Sequence, residues 1–246
     1  MKLETQCLHA GYSPESTTNA CAVPLYKTSS FVFNNTEHAA NLFGLRELGN
    51  IYTRLMNPTT DVLEQRVAAM EGGAAGLGIA SGTSAVFYSI INIAQEGDEI
   101  VSANNLYGGT YTQFNDILPK FGIKVKFVDP NDPANFAAAI TDKTKAIFCE
   151  SVSNPGLDVA DIKAIANVAD DHGIPLIVDS TFSTPYLTNP IEHGASIVIH
   201  SLTKWMGGHG NGIGGVVVDS GTFNWKNGNF PLYDEPDNSY HALRWG

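Results

Sequence analysis

Cysteine is scarce in this chain: Cys7, Cys21 and Cys149 are the three among 246 residues. An odd number at such wide spacing supports neither a disulfide framework nor a paired-cysteine zinc site, and no metal centre is expected. They read as reduced thiols of a cytoplasmic protein. Positive charge is also short, with 14 Lys and Arg against 25 Asp and Glu and a formal net charge of −11. A surface of that sign disfavours polyanions, so neither nucleic acid nor an anionic membrane is expected as a partner. No run of about eighteen apolar residues exists, and the opening segment Met1 to Cys7 has no apolar core, so the sequence carries no sign of a membrane span or a secretory signal. Familiar phosphate and nucleophile motifs are missing too. There is no GxxxxGK[ST], and Ser81 lacks the glycine two residues earlier that a nucleophile elbow needs.

What is present is 43% hydrophobic and only 16% charged, enough to bury the core of an α/β domain without staples. Apolar runs of strand length recur at Gly76 to Ala80, Glu99 to Ala103, Lys124 to Val128, Lys145 to Cys149, Pro175 to Val178, Ser196 to His200 and Gly215 to Val218. Amphipathic stretches separate them at Thr60 to Glu71, Ser84 to Ala94, Tyr111 to Phe121, Pro133 to Ile140 and Asp161 to His172, with Gly73, Gly97, Gly122 and Gly173 as stop signals. Strand alternating with helix predicts a mainly parallel sheet covered by helices. Residues 1–50 fit no such unit and are read as an extended N-terminal arm leaning on a neighbouring subunit. Residues 51–246 are read as one large domain. Gly210-Asn-Gly212-Ile-Gly214-Gly215 formally matches GxGxxG, but it precedes a strand instead of following one, the wrong order for a dinucleotide loop.

In open α/β sheets ligands gather beyond the carboxyl ends of the strands, so the residues just after each apolar run are the candidates. Ile199-His-Ser201-Leu-Thr203-Lys204 places an amine at the end of a rigid element beside two hydroxyls, as a lysine that binds the aldehyde cofactor pyridoxal phosphate requires. A solvated surface lysine is the alternative. Ser81-Gly82-Thr83 opens a helix, whose free N–H groups make either a phosphate seat or an ordinary N-cap. Tyr107 beside Gly108 and Gly109 has the chemistry to lie flat on a cofactor ring, or is a turn tyrosine. Asn154 offers an amide to a ring hydroxyl, or forms an Asx turn. Asp179 ends an apolar strand, followed by Thr181; it is either the partner of a pyridinium N–H or a helix N-cap.

Taken in order along the whole chain, these residues resemble the Cys/Met-metabolism pyridoxal-phosphate enzymes of fold type I. Tyr52-Thr-Arg54-Leu-Met-Asn57-Pro58 is similar to a segment in which the tyrosine and arginine reach a neighbour's site and hold its phosphate. The resemblance implies that Gly82 and Thr83 bind the phosphate through their N–H groups and Ser201 and Thr203 contact it, that Ser81 and Thr181 also bind the cofactor, that Tyr107 stacks and assists proton transfer, that Asn154 meets the ring hydroxyl and Asp179 the ring nitrogen, and that Lys204 carries the cofactor. Gly207 to Gly215 and the aromatic stretch Phe223 to His241 are similar to the O-acetylhomoserine sulfhydrylase branch. That implies a transferase of methionine biosynthesis taking a small amino-acid ester and a sulfur donor, working as a homo-oligomer, a dimer or tetramer with shared sites. Cystathionine γ-synthesis or γ-elimination is the nearer rival. A silent cofactor-domain fragment acting in assembly is the rival of another class. Family members continue into a small C-terminal domain supplying an arginine for the substrate carboxylate, which is not present before Gly246.

Overall fold

The computed structural model describes every residue from Met1 to Gly246. All the runs expected to be strands are strands: β1 (Ala75–Ile79), β2 (Glu99–Ala103), β3 (Lys124–Val128), β4 (Thr144–Glu150), β5 (Leu176–Asp179), β6 (Ile197–Ser201) and β7 (Gly215–Asp219). They form one 7-stranded sheet in the order β1-β7-β6-β5-β4-β2-β3. Strands β6, β5, β4, β2 and β3 pair in parallel, whereas β7 is antiparallel to both β1 and β6. The exception does not disturb the functional edge. Because β7 reverses against both neighbours, β1 and β6 point the same way, and the first residue of β7, Gly215, pairs with both of their carboxyl ends, Ile79 and Ser201.

The helices are α1 (Leu3–His9), α2 (Thr36–Phe43), α3 (Pro58–Glu71), α4 (Gly82–Ile91), α5 (Gly108–Thr112), α6 (Pro133–Ala139), α7 (Ile162–Asp171), α8 (Thr184–Leu187) and α9 (Pro231–Asp234). Their starts are chemical. Asn57, Ser81, Asp132 and Asp161 each accept an N–H of the following turn, and Pro58 and Pro133 occupy first-turn positions where a missing N–H costs nothing. Side chains alternate across a strand, so neighbours on β6 report which helix covers which face. Ser201 lies against Gly82 of α4, while buried His200 meets buried Glu71 of α3 at 2.5 Å. Helices α3 and α4 therefore cover opposite faces.

Several local expectations shift. The arm, expected to be extended, contains α1 and α2, and α1 is docked on α3 where Arg66 Nε donates to the Ala10 carbonyl at 2.9 Å. The stretch Tyr111 to Phe121 is not one regular helix. After α5 it widens to a π turn at Gln113–Ile117 and tightens to a 3₁₀ turn at Leu118–Phe121, where Pro119 cannot donate to the i→i−4 ladder. Helix α3 stops at Gly72, with φ 72°, and not at Gly73. Gly73 is instead a packing glycine, since a Cβ there would stand 2.3 Å from Val218 Cγ1.

The core lies on both faces of the sheet, and strands β2 and β4 to β6 are buried along almost their full length, which is why they read as continuous apolar runs. Phe148 on β4 meets Phe114 edge to face, with ring centroids 4.9 Å apart and both side chains fully buried. Phe148→Ala is expected to destabilise the chain by about 3–5 kcal/mol in urea unfolding. A near-neutral change would place the packing centre elsewhere.

Candidate active site

The carboxyl edge of the sheet opens into a cleft of about 620 Å³. Its walls include Ser81, Gly82, Thr83, Tyr107, Asn154, Asp179, Thr181, Ser201, Thr203 and Lys204, residues drawn from the ends of five different elements. The alternatives left open by sequence are now decided in part. Ser81 does cap α4, accepting from Ser84 N–H at 3.1 Å. That leaves the N–H groups of Gly82 and Thr83, which have no carbonyl to meet within the helix, pointing out of its positive end. The seat is tight. A Cβ on Gly82 would lie 2.5 Å from Ser201 Cβ, and one on Gly215 would lie 2.2 Å from the Ser81 carbonyl oxygen.

Asp179 is not a helix N-cap, because the next helix begins only at Thr184. Its carboxylate accepts the Thr181 N–H at 3.0 Å, and no Lys or Arg forms an ion pair with it. Burial raises its pKa, against the Thr181 hydrogen bonds and the His200 charge, which lower it. A cationic N–H would relieve that cost. The Asn154 side chain makes no Asx turn; its backbone N–H is held instead, and its exposed side chain lines the cleft. Tyr107 is 48% exposed, its ring folded over Gly109, where a Cβ would approach Tyr107 Cε1 to 2.6 Å.

The hydroxyls divide their labour. Thr181 Oγ1 accepts from Ser201 N–H at 2.8 Å, which ties the β5 loop to β6. Thr203 Oγ1 donates to the Gly214 carbonyl at 3.2 Å and accepts from Gly214 N–H at 3.1 Å, so it holds the glycine loop closed behind Lys204. Lys204 itself is exposed at the cleft. Tyr52 and Arg54 are not in this cleft. They line a separate one with Leu25, Lys27 and Thr60, and the Arg54 guanidinium lies 5.7 Å from the Tyr52 ring centre.

Sequence reasoning passed over Glu150. It is the last residue of β4, opposite Asp179 in the β4–β5 register, and its carboxylate accepts from Tyr107 N–H at 2.7 Å and Asn154 N–H at 3.1 Å. The signal was available, since an acid ending an apolar strand is what singled out Asp179. Burial pushes its pKa up to about 7, with the charge of Asp179 adding to the rise and the two N–H groups opposing it. Phe182, Trp205 and Ile213, also missed, form an apolar wall, with Phe182 edge-on to Trp205 at 6.0 Å. Only their approach in space joins them.

A helix N-terminus for a phosphate, a half-buried acid with no Lys or Arg partner and a lysine, all at the carboxyl edge of an open sheet, define the pocket of a pyridoxal-phosphate enzyme. The residues fit that group by shape as well as chemistry, because the seat beside Gly82 exists only without a side chain. The family model of the Cys/Met metabolism PLP-dependent enzymes matches residues 4–235, and the chain belongs to that family. It is 57% identical over 244 residues to an O-acetyl-L-homoserine sulfhydrylase of Leptospira meyeri, covering 99% of this chain and 55% of that protein. A Campylobacter jejuni structure, provisionally named O-acetylhomoserine (thiol)-lyase and carrying a pyridoxyl-lysine phosphate at position 205, superposes with TM-score 0.97 at 42% identity, over 100% of this chain and 61% of that one. Cystathionine γ-lyase from Lactobacillus plantarum gives 0.81 at 39% identity, over 89% and 55%. The chain thus spans just over half the length of the curated relative it matches.

The raised pKa of Glu150 has a definite sign in stability. The unfolded carboxyl, near pKa 4.5, releases its proton before the folded one, so the folded state holds more protons between about pH 4.5 and 7 and loses stability as pH rises through that window. The loss attributable to this group is about 3 kcal/mol. In urea unfolding of the cofactor-free protein, Glu150→Gln is expected to flatten the fall in stability across that window relative to wild type. An unchanged slope would assign the pH dependence to other groups.

Proposed function

We propose that the chain is the cofactor-binding part of a γ-replacement enzyme that joins O-acetylhomoserine to sulfide or a thiol, giving homocysteine, or methionine from methanethiol, and acetate. The observation that carries this reading is Lys204 standing in one cleft with a helix N-terminus and a half-buried carboxylate that makes no salt bridge to Lys or Arg. The likeness to an O-acetyl-L-homoserine sulfhydrylase supports the choice of ester and sulfur donor, and the pyridoxyl-lysine of the Campylobacter protein supports the choice of lysine.

Pyridoxal phosphate, when bound, supplies an aldehyde for the substrate amine and a ring that stores electrons. The N–H groups of Gly82 and Thr83, with the Ser81 cap and the Ser201 hydroxyl, would hold the phosphate. Asp179 would keep the ring nitrogen charged, a task its pocket suits because a cation lowers the cost of the desolvated carboxylate. Asn154 would meet the ring hydroxyl and Tyr107 would cover the ring, while Thr181 and Thr203 brace the loops around it. Lys204 would take the proton from substrate Cα and carry protons at Cβ, with Tyr107 assisting. At Cγ the C–O bond breaks, acetate leaves with its electrons, and sulfur forms the new C–S bond.

Residues 1–50 are assigned as an arm against a neighbouring copy and 51–246 as the cofactor domain. Leu25, Val32 and Leu48 on the arm are 84%, 98% and 95% exposed, apolar surface that a partner would cover. Placement of Tyr52 and Arg54 away from their own chain's cleft supports sites completed across a homodimer, two of which would make a tetramer. Three unpaired thiols support the cytoplasm as its compartment, and no helix is long and apolar enough to cross a membrane.

The protein loaded with pyridoxal phosphate is expected to release homocysteine and acetate from O-acetylhomoserine and sulfide, and to leave a borohydride-stable cofactor adduct on Lys204. Lys204→Ala should lose both. Cystathionine formed from cysteine in preference to homocysteine from sulfide would move the protein to the neighbouring reaction, and an adduct at wild-type level in the variant would remove Lys204 from its role. Shared sites have their own test. Arg54→Ala and Lys204→Ala chains, each nearly inactive, should recover part of the activity when mixed, because one site of the mixed dimer carries neither lesion. No recovery after mass spectrometry confirms subunit exchange would mean that each chain builds its site alone.

A further inference from the structure

We infer that Glu150 is a positioning residue, a carboxylate clamp that holds the Tyr107 turn and the Asn154 turn at a fixed separation across the cleft. The inference rests on reading the cleft as a pyridoxal-phosphate site, and deepens it. Strand β4 lies between β2 and β5, so its last residue stands between the loop that follows β2 and the loop that follows β4 itself. Glu150 uses one oxygen for each. Oε1 accepts the Tyr107 N–H at 2.7 Å and Oε2 the Asn154 N–H at 3.1 Å.

The arrangement is costly unless it has a purpose, because Glu150 is buried, has no Lys or Arg partner and faces a second carboxylate, Asp179. Holding the loops together does not by itself need a charge in the cleft. Asn105 Nδ2 already donates to Asp158 Oδ2 at 3.1 Å, a second tie between the same two loops. What Glu150 adds is a bond to each of the two residues whose side chains would touch the cofactor ring, one on its face and one at its edge. Charge-assisted bonds to a carboxylate are shorter and stiffer than neutral ones, as positioning requires. The chemistry cannot be copied by near relatives of the side chain. Glutamine replaces one acceptor with a donor, and aspartate is one methylene too short to reach both turns.

The test uses the full chain, with and without pyridoxal phosphate, as wild type, Glu150→Gln and Glu150→Asp. In wild type the amides of Tyr107 and Asn154 are expected to be protected from hydrogen exchange although both residues are exposed; lack of protection overturns the clamp whatever the variants do. Glu150→Gln and Glu150→Asp should each speed exchange about tenfold at one of these two amides, leave Ile147 and Phe148 of β4 unchanged, and weaken cofactor retention by a similar factor. The visible circular dichroism of the bound cofactor should change in the same variants, while the borohydride adduct on Lys204 persists. Faster exchange throughout β4, or two amides and a dichroism spectrum like wild type, overturns the inference. A wild-type chain that traps no cofactor would sink the reading of the cleft, and the exchange rates would still decide the clamp.

Discussion

The close approach of the Ser81–Gly82 turn to strands β6 and β7 is the constraint on which the rest of the site depends. Gly82 stands where any side chain would meet Ser201, and Gly215 where any side chain would meet the Ser81 backbone. Two missing Cβ atoms thereby bring the N-terminus of α4, the end of β1 and the end of β6 to one point. The helix end supplies oriented N–H groups, and the strand end leads within a few residues to Lys204. Since β7 begins between the two strands that point outward, its reversed direction helps to close the seat. A larger residue at either glycine would push the helix away from the lysine and leave both intact but apart.

Two carboxylates at the carboxyl edge, Glu150 and Asp179, sit side by side in adjacent strands, and the distinction between them is environmental. Asp179 has Thr181 as its partner and an open side toward the cleft. Glu150 spends both oxygens on backbone N–H groups. Burial raises the pKa of each, so a positive group close by would ease the cost of the charge. Only Asp179 has a face left to meet one. A fold that places two carboxylates together is tolerated here because neither is left without hydrogen bonds.

Much of this was legible locally. Strand positions followed from short apolar runs, and the buried middle of the sheet explains why those runs did not alternate. Helix starts were readable at Ser81 and Asp161, where cap chemistry is a matter of a few neighbouring atoms. The helix after Tyr107 was harder, since Pro119 and the π turn interrupt a pattern that looks regular in sequence. Glu150 escaped because its meaning lies in two amides, one of them 43 residues distant in the chain. For Tyr52 and Arg54 the sequence carried the residue types and a resemblance, but nothing in local pattern says that their own cleft lies apart from Lys204.

By itself the sequence determined the strands and most of the helices that cover them, the family and the chemical kinds of the site: a lysine, an acid, hydroxyls and a glycine-opened helix. These are local properties, written in periodicity, capping and side-chain chemistry. Tertiary structure alone decided the strand order, the reversal of β7 and the pairing of Gly215 with two strand ends. It also decided that Thr203 serves the glycine loop, that Glu150 joins two turns, and which groups share a cleft. Each of those depends on contacts between residues far apart in the chain, made only when the sheet is assembled and its two faces are covered, and no window of neighbouring residues contains them.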